Sequence, residues 1–328
     1  MRMMRILLWA LALMAGGPVS AQQSDIDHVV FQVGEVYFFG YGGLDLTKLR
    51  AEIPLHRGDS FSFATFDGES IEAAVKRVTG KSPTDLSEVC CDDAKHVTFY
   101  IGVAGTTWRP LPTTPAPKGA DHLPLEAMAL YDELMGALGP AMAAGRSGED
   151  DSQGYVLSND PAMHAANVKM RVYALGRESE LAQVLERAVD AKQRQAAAAL
   201  LGYVQRSPSQ VKALTAAILD VDGDTRNNAV RALAVLAAAR NASILEVDPK
   251  PLIALLYSGK WTDRNKASFL LSRITEKNDP ALLKALRQEA LPALTEGASW
   301  DEGHASAFVS ILGRVLRTSS KQKPTDIR

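Results

Sequence analysis

The sequence predicts an α+β domain of order β-α-α-β-β near the N-terminus, followed by an all-α solenoid of stacked helical pairs. Three observations predict it. Residues 25–105 mix strand and helix periodicities, residues 106–124 concentrate proline, and beyond Asn159 Ala- and Leu-rich segments of helical character recur at intervals. At 328 residues the chain is long enough for two cores. Its 46% hydrophobic and 23% charged residues are those of a globular protein. With 36 Lys and Arg against 38 Asp and Glu there is no basic excess to neutralise a phosphate backbone, so nucleic acid is not an expected partner.

The first 21 residues read as a signal peptide. Arg2 and Arg5 form a positive start, Ile6 to Ala15 an apolar run, and Val19-Ser20-Ala21 a small-residue cleavage site, so the mature chain is expected to begin at Gln22. The apolar run is shorter than the about 20 residues that span a bilayer, and no comparable run follows, so no integral membrane segment is expected after cleavage. Without a cysteine at the cleavage point, lipoprotein-type attachment is not expected either. The expected location is the bacterial periplasm, with secretion as the alternative. Removal of the two arginines leaves 34 basic residues against 38 acidic ones.

In the α+β domain, residues 28–39 are β-branched and aromatic with partial alternation, a strand, and Gly40 to Gly43 make the turn after it. Leu46, Leu49 and Ile53 have helical spacing in a helix that stops before Pro54. A second helix runs to Thr79: Asp67 is its N-cap, Ile71, Ala74, Val75 and Val78 share a face, and Gly80 is the stop. Leu86 to Cys91 and His96 to Val103 read as a hairpin about Asp92 to Lys95. With its opening strand and Gly turn, and the corner Leu55-His56-Arg57-Gly58-Asp59-Ser60-Phe61 between two helices, this stretch resembles a POTRA domain, the module of outer-membrane assembly and secretion proteins. The resemblance implies pairing of a sheet edge with an extended peptide, although the family commonly carries several copies and a membrane barrel, and one copy is recognised here.

Residues 106–124 are a linker stiffened by Pro110, Pro112, Pro115, Pro117 and Pro124. Residues 125–160 hold a helix from Leu125 to Ala144 and a polar loop containing Glu149, Asp150 and Asp151. The repeats occupy 161–317, and 318–328 form a polar tail. Their second helices align on Arg194, Arg226, Arg264 and Gly303, at spacings of 32, 38 and 39 residues. The first helices are Leu181 to Ala188, Val211 to Leu219, Leu252 to Tyr257 and Ala285 to Leu294. An Asp-rich turn leading into an arginine and a small-residue helix, clearest at Asp220-Val221-Asp222-Gly223-Asp224-Thr225-Arg226, is similar to the short bacterial form of HEAT repeats. The resemblance implies stacked pairs whose concave face binds other proteins. Asp222, Asp224, Arg194, Arg226 and Arg264 are the repeat-turn and capping residues, with Asp224 expected to cap the helix beginning near Thr225.

No catalytic signature accompanies this architecture. Asp220, Asp222 and Asp224 imitate a calcium loop, but the glycine comes too early and Arg231 stands where the bidentate glutamate belongs. Glu149 to Asp151 are open to a divalent cation or to water alone. His28, His56, His96, His122, His164 and His304 show no helical metal-site spacing, and no nucleophile elbow, phosphate loop or dinucleotide fingerprint occurs. No cofactor or metal is expected. The adjacent Cys90 and Cys91 leave open a vicinal disulfide, an intermolecular bridge or a free dithiol, since neighbouring Cα atoms are closer than relaxed disulfides prefer. The reading is a non-enzymatic protein-binding scaffold or adaptor. The alternatives are an accessory of outer-membrane assembly or secretion, and a thiol-active protein using Cys90 and Cys91.

Overall fold

The computed structural model describes residues 29–90, 96–146, 148–239, 247–300 and 304–320. The expected signal peptide, the hairpin turn at 92–95 and the end of the tail lie outside them. Two compact units form. One takes in the described residues up to Arg109 with 134–148 and 259–261, and the other holds the rest.

The first unit runs β1 (Phe31–Phe39), α1 (Leu46–Glu52), β2 (Ser60–Phe61), α2 (Gly68–Thr79), β3 (Asp85–Val89), β4 (His96–Gly102). This is the expected order with one addition, the two-residue strand β2 between the helices. The sheet order is β2-β1-β4-β3: β1 and β4 pair in parallel, and the other neighbours are antiparallel. Parallel strands need a crossover, which the stretch carrying α1 and α2 supplies. Leu49 and Ile53, with Ile71, Ala74 and Val75 of α2, close over Phe31, Val33, Phe38, Val97, Phe99 and Ile101 to make the core. The helix ends follow local chemistry. The Asp45 carboxylate accepts from the amides of Thr47 and Lys48, and Asp67 from that of Ser70. Gly80 ends α2 at φ 74°, a left-handed conformation that costs glycine nothing.

The second unit begins with the proline-rich stretch, which is fixed along its length. The Thr114 amide donates to the Leu219 carbonyl (2.7 Å), the Gly119 amide donates to the Arg187 carbonyl while the Gly119 carbonyl accepts from the Val189 amide, and the Leu123 amide reaches Gln193 Oε1 (2.7 Å). Next come α3 (Leu125–Ala143), of which the part through Glu133 belongs here, and a small hairpin of β5 (Glu149–Asp150) and β6 (Leu157–Ser158). The acidic segment read as a loop therefore holds paired backbone.

Then follow α4 (Pro161–Ala174), α5 (Glu178–Arg187), α6 (Ala191–Leu201), α7 (Pro208–Ala216), α8 (Gly223–Ala238), α9 (Pro249–Leu256), α10 (Trp261–Ile274), α11 (Pro280–Glu289), α12 (Leu291–Ala298) and α13 (Ala305–Ser320). Four of them start alike: Asp160, Ser207, Asp248 and Asp279 cap the helix, and a proline follows at once. Proline suits that place because its missing N–H would have had no partner there. The same chemistry corrects one expectation. The helix read across Ala285 to Leu294 is broken, with α11 ending at Glu289 and Pro292 in the first turn of the separate α12, since an interior proline loses a bond and clashes with the preceding turn. Alanine sets the spacing of the stack. Ala196, Ala197 and Ala198 of α6 and Ala229, Ala232 and Ala234 of α8 are all buried, which lets the backbones approach closely.

Candidate functional site

The fourth residue of α6, of α8 and of α10 is an arginine, and each is buried: Arg194, Arg226 and Arg264. Each guanidinium does two things. It donates back to carbonyls of the turn before its helix: Arg194 to Ala188 and Val189, Arg226 to Asp220 and Val221, and Arg264 to Ser258. It also reaches forward to a buried carboxylate farther along the chain. Arg194 meets Asp220 through two bonds of 2.8 and 2.9 Å, Arg226 meets Asp263 through two of the same lengths, and Arg264 meets Glu296 at 2.8 Å. Ser258 links the last two steps by donating from Oγ to Asp263 at 2.6 Å. The forked pairing explains why arginine and not lysine stands at these positions. Burial pushes Arg264 down to about 10, against the pull of Glu296. These residues thus form a relay that ties the starts of α6, α8 and α10 to carboxylates farther along the chain, a structural role.

The acidic residues of the turn are spent in the same way. Asp220 is Arg194's partner, and Asp222 caps α8 by accepting from the Thr225 amide at 2.8 Å. Asp224, expected to be the cap, lies two residues too late, as the second residue of the helix itself. Among the described residues no group of three His, Cys, Asp or Glu assembles that would hold a metal ion.

A second constellation spreads over the exposed sides of α4, α6, α8 and α10, and sequence reasoning missed it. The chain segment before those helices places four carboxylates on them, one per helix. Glu133 meets Lys169 of α4 (2.6 Å), Asp132 meets Lys192 of α6 (2.9 Å), Glu149 meets Arg231 of α8, and Asp151 meets Arg273 of α10 (3.8 Å). Tyr131 joins them by accepting from Asn228 of α8. Past the hairpin tip, the Tyr155 ring lies 4.6 Å under the Arg171 guanidinium, and Arg171 donates to the Tyr203 carbonyl.

Beside the Glu149–Arg231 pair sits Lys266 of α10, with no hydrogen-bond or ion-pair partner among the described residues. Burial pushes its ammonium down to about 8, Arg231 adds to the effect and Glu149 opposes it. His304 is pushed down to about 4, by burial and then by Lys266. The Tyr203 hydroxyl, held by Asn167 at 2.8 Å, is pushed up to about 12, chiefly by burial. Glu276 also lies 3.9 Å from Arg273, so six cations (Lys169, Arg171, Lys192, Arg231, Lys266, Arg273) face five carboxylates among the described residues. No sequence signal marks this, because the pairs join residues 36, 60 and 82 positions apart in the first three cases.

The remaining sequence candidates lie apart. Cys90 is disulfide-bonded, and the chain has one other cysteine, its neighbour Cys91, which lies outside the described residues. Two positions before it, Glu88 has a buried Oε1 with no partner, and burial raises this carboxyl to about 7. His56 sits near Asp59 (3.6 Å), and the ring Nδ1 atoms of His122 and His164 lie near the Ala120 and Ser158 carbonyls. No helix is long and apolar enough to cross a membrane among the described residues. Comparison with known proteins adds no family: no protein-family model matches this chain, and no curated protein matches it.

Proposed function

We propose that this chain is a non-enzymatic protein-binding scaffold or adaptor of the bacterial periplasm, exported by its N-terminal segment. In this reading the second unit is a short solenoid of HEAT-like helical pairs, and the first is a POTRA-like module. The observation that carries it is the arginine relay. The same residue at the same helical position makes the same backward and forward bonds three times over, as expected of a repeat whose pairs must stack to bury their apolar stripes. Such a relay makes a stiff array, and stiffness lowers the entropy lost on binding.

Two surfaces suit a protein partner. On α4 the apolar Val168 and Val172 stand exposed one turn apart, with Leu175 exposed at the helix's C-cap, and solvent-facing apolar groups at one place mark interaction sites. In the first unit β3 ends the sheet order, and a strand paired on one side accepts an extended peptide on the other.

The test is a photo-crosslinking residue placed at Val172, at Ser87 of β3 and, as a control, at Ala116 in the proline-rich stretch, in cells producing the full chain. The reading predicts a discrete protein adduct from Val172 or Ser87 and none from Ala116. Absence of adducts from both test sites would count against it. N-terminal sequencing of the mature protein is expected to begin at Gln22, and an intact start at Met1 would contradict export by cleavage.

A further inference from the structure

We infer that the hairpin Glu149–Ser158 is an internal stand-in for the ligand of the charged helix face, and that this ligand is an acidic, extended segment of another protein which displaces the hairpin's acidic arm, residues 149–151. The inference rests on the scaffold reading and names the chemistry of its partner.

The argument begins with what the hairpin does. Glu149 and Asp151 engage Arg231 and Arg273, side chains from two different helices, while Tyr155 lies under Arg171 from a third. Two carboxylates at alternate positions, one in β5 and one just after it, and an aromatic ring across the turn from them are thus already seated on the face. Strands project alternate side chains to one side, which is how residues 149 and 151 both reach bases.

The strength of the seating comes next. The side chains of the Glu149–Arg231 pair are 30% and 33% exposed, and those of the Asp151–Arg273 pair 34% and 30%. Ion pairs open to water to that degree shift an equilibrium only a few-fold each and weaken with salt. The acidic arm of the hairpin, residues 149–151, is therefore held weakly by charge, and a ladder of two residue pairs joins it to β6. The other arm is anchored, because Val156 and Ser158 are buried and the Ser158 amide donates to Asn167 Oδ1 at 2.8 Å. An acidic arm that lifts away while β6 stays is a tethered competitor.

Charge balance supplies the third step. Lys266 is a partly buried ammonium beside Arg231 with no hydrogen-bond or ion-pair partner among the described residues. Withdrawing an unpaired charge from water is costly, and Glu149, the acid that acts on it, is already shared with Arg231. A ligand with one more carboxylate than Glu149 and Asp151 supply would pair with it. The chain-wide balance of 36 basic and 38 acidic residues does not favour nucleic acid, whereas this local excess suits a peptide of a few acids.

The experiment uses the full mature chain and a fluorescein-labelled peptide with the sequence of residues 148–158, alongside a counterpart in which Glu and Asp are replaced by Gln and Asn. Anisotropy titrations compare the wild type, the variant Glu149→Gln/Asp151→Asn, and that variant carrying also Lys266→Met. Removing the two carboxylates of the acidic arm is expected to tighten binding of the acidic peptide on the order of tenfold, the fold-change that two such pairs supply. Adding Lys266→Met is expected to weaken it again by a similar factor, and raising salt to weaken it throughout. Lys266 has no bonded partner to strand, so its removal should leave the fold intact, and matching thermal melts check this; Lys266→Gln serves as the second variant. Equal affinity for the neutral peptide would overturn the acidic chemistry while leaving a peptide-binding scaffold standing. No binding by any variant, tighter binding of a short oligothymidylate, or self-association of the wild type through this face would overturn the inference outright.

Discussion

Buried charge gives the sharpest consequences at the scale of single residues. Breaking one partner of a buried ion pair strands the other, at about 3–5 kcal/mol, whereas removing both is often close to neutral. Arg194→Met is therefore expected to lower the midpoint of urea unfolding by the equivalent of about 3 kcal/mol, and Arg194→Met/Asp220→Leu to restore much of it. If both variants lost the same amount, the pair would not be the cause. Glu88 gives a prediction in pH. Its carboxyl rises from 4.5 to about 7 through burial, so between those values the folded state holds a proton that the unfolded state has released. Stability contributed by the protonated form is present below pH 4.5 and is lost as pH rises through about 7. Glu88→Gln is expected to flatten this fall and to be the more stable protein at pH 8, as read by thermal melts across pH 4–8; an unchanged slope would contradict it. At this scale the sequence was readable where chemistry is local. Asp67 as a cap and Gly80 as a stop could be named in advance, whereas Glu88's lost hydration depends on Phe99 and the core behind it, which no neighbouring residue announces.

Helices and strands were legible to the extent that their ends are written in adjacent residues. The two helices of the first unit and the hairpin β3–β4 fall where periodicity puts them, but β2, two residues long, carries too little pattern to be read. In the second unit the recurring Asp-Pro or Ser-Pro step at residues 160, 207, 248 and 279 marks a helix start in adjacent residues, and Pro292 likewise marks the break that separates α11 from α12. The proline-rich stretch is a different case: composition marks it as extended but cannot say that Thr114, Gly119 and Leu123 bond to the helical unit. Close packing between elements yields a further test. A Cβ on Gly297 of α12 would overlap the Phe308 ring of α13. Gly297→Ala is expected to destabilise the protein by about 1–3 kcal/mol despite alanine's better helix propensity, because overpacking outweighs it. A rise in the unfolding midpoint would show that the two helices can part.

For the molecule as a whole, the arginine relay and the charged face divide the work of three shared helices, α6, α8 and α10, to which the face adds α4. The relay runs through their buried starts and fixes their spacing, and the bases on their exposed sides stand on the array so fixed. The arginines were visible in the sequence because they repeat along it. The face was not, since its pairing is completed by a segment far away in the chain and only folding brings them together. Hydrogen exchange on the full chain, with and without an excess of an acidic peptide, tests the central claim most directly. The account predicts that amides of residues 149–152 exchange faster when the peptide is present, while those near Arg231 and Arg273 slow down. Unchanged exchange at the hairpin with a peptide demonstrably bound would contradict it, because the ligand would then sit elsewhere.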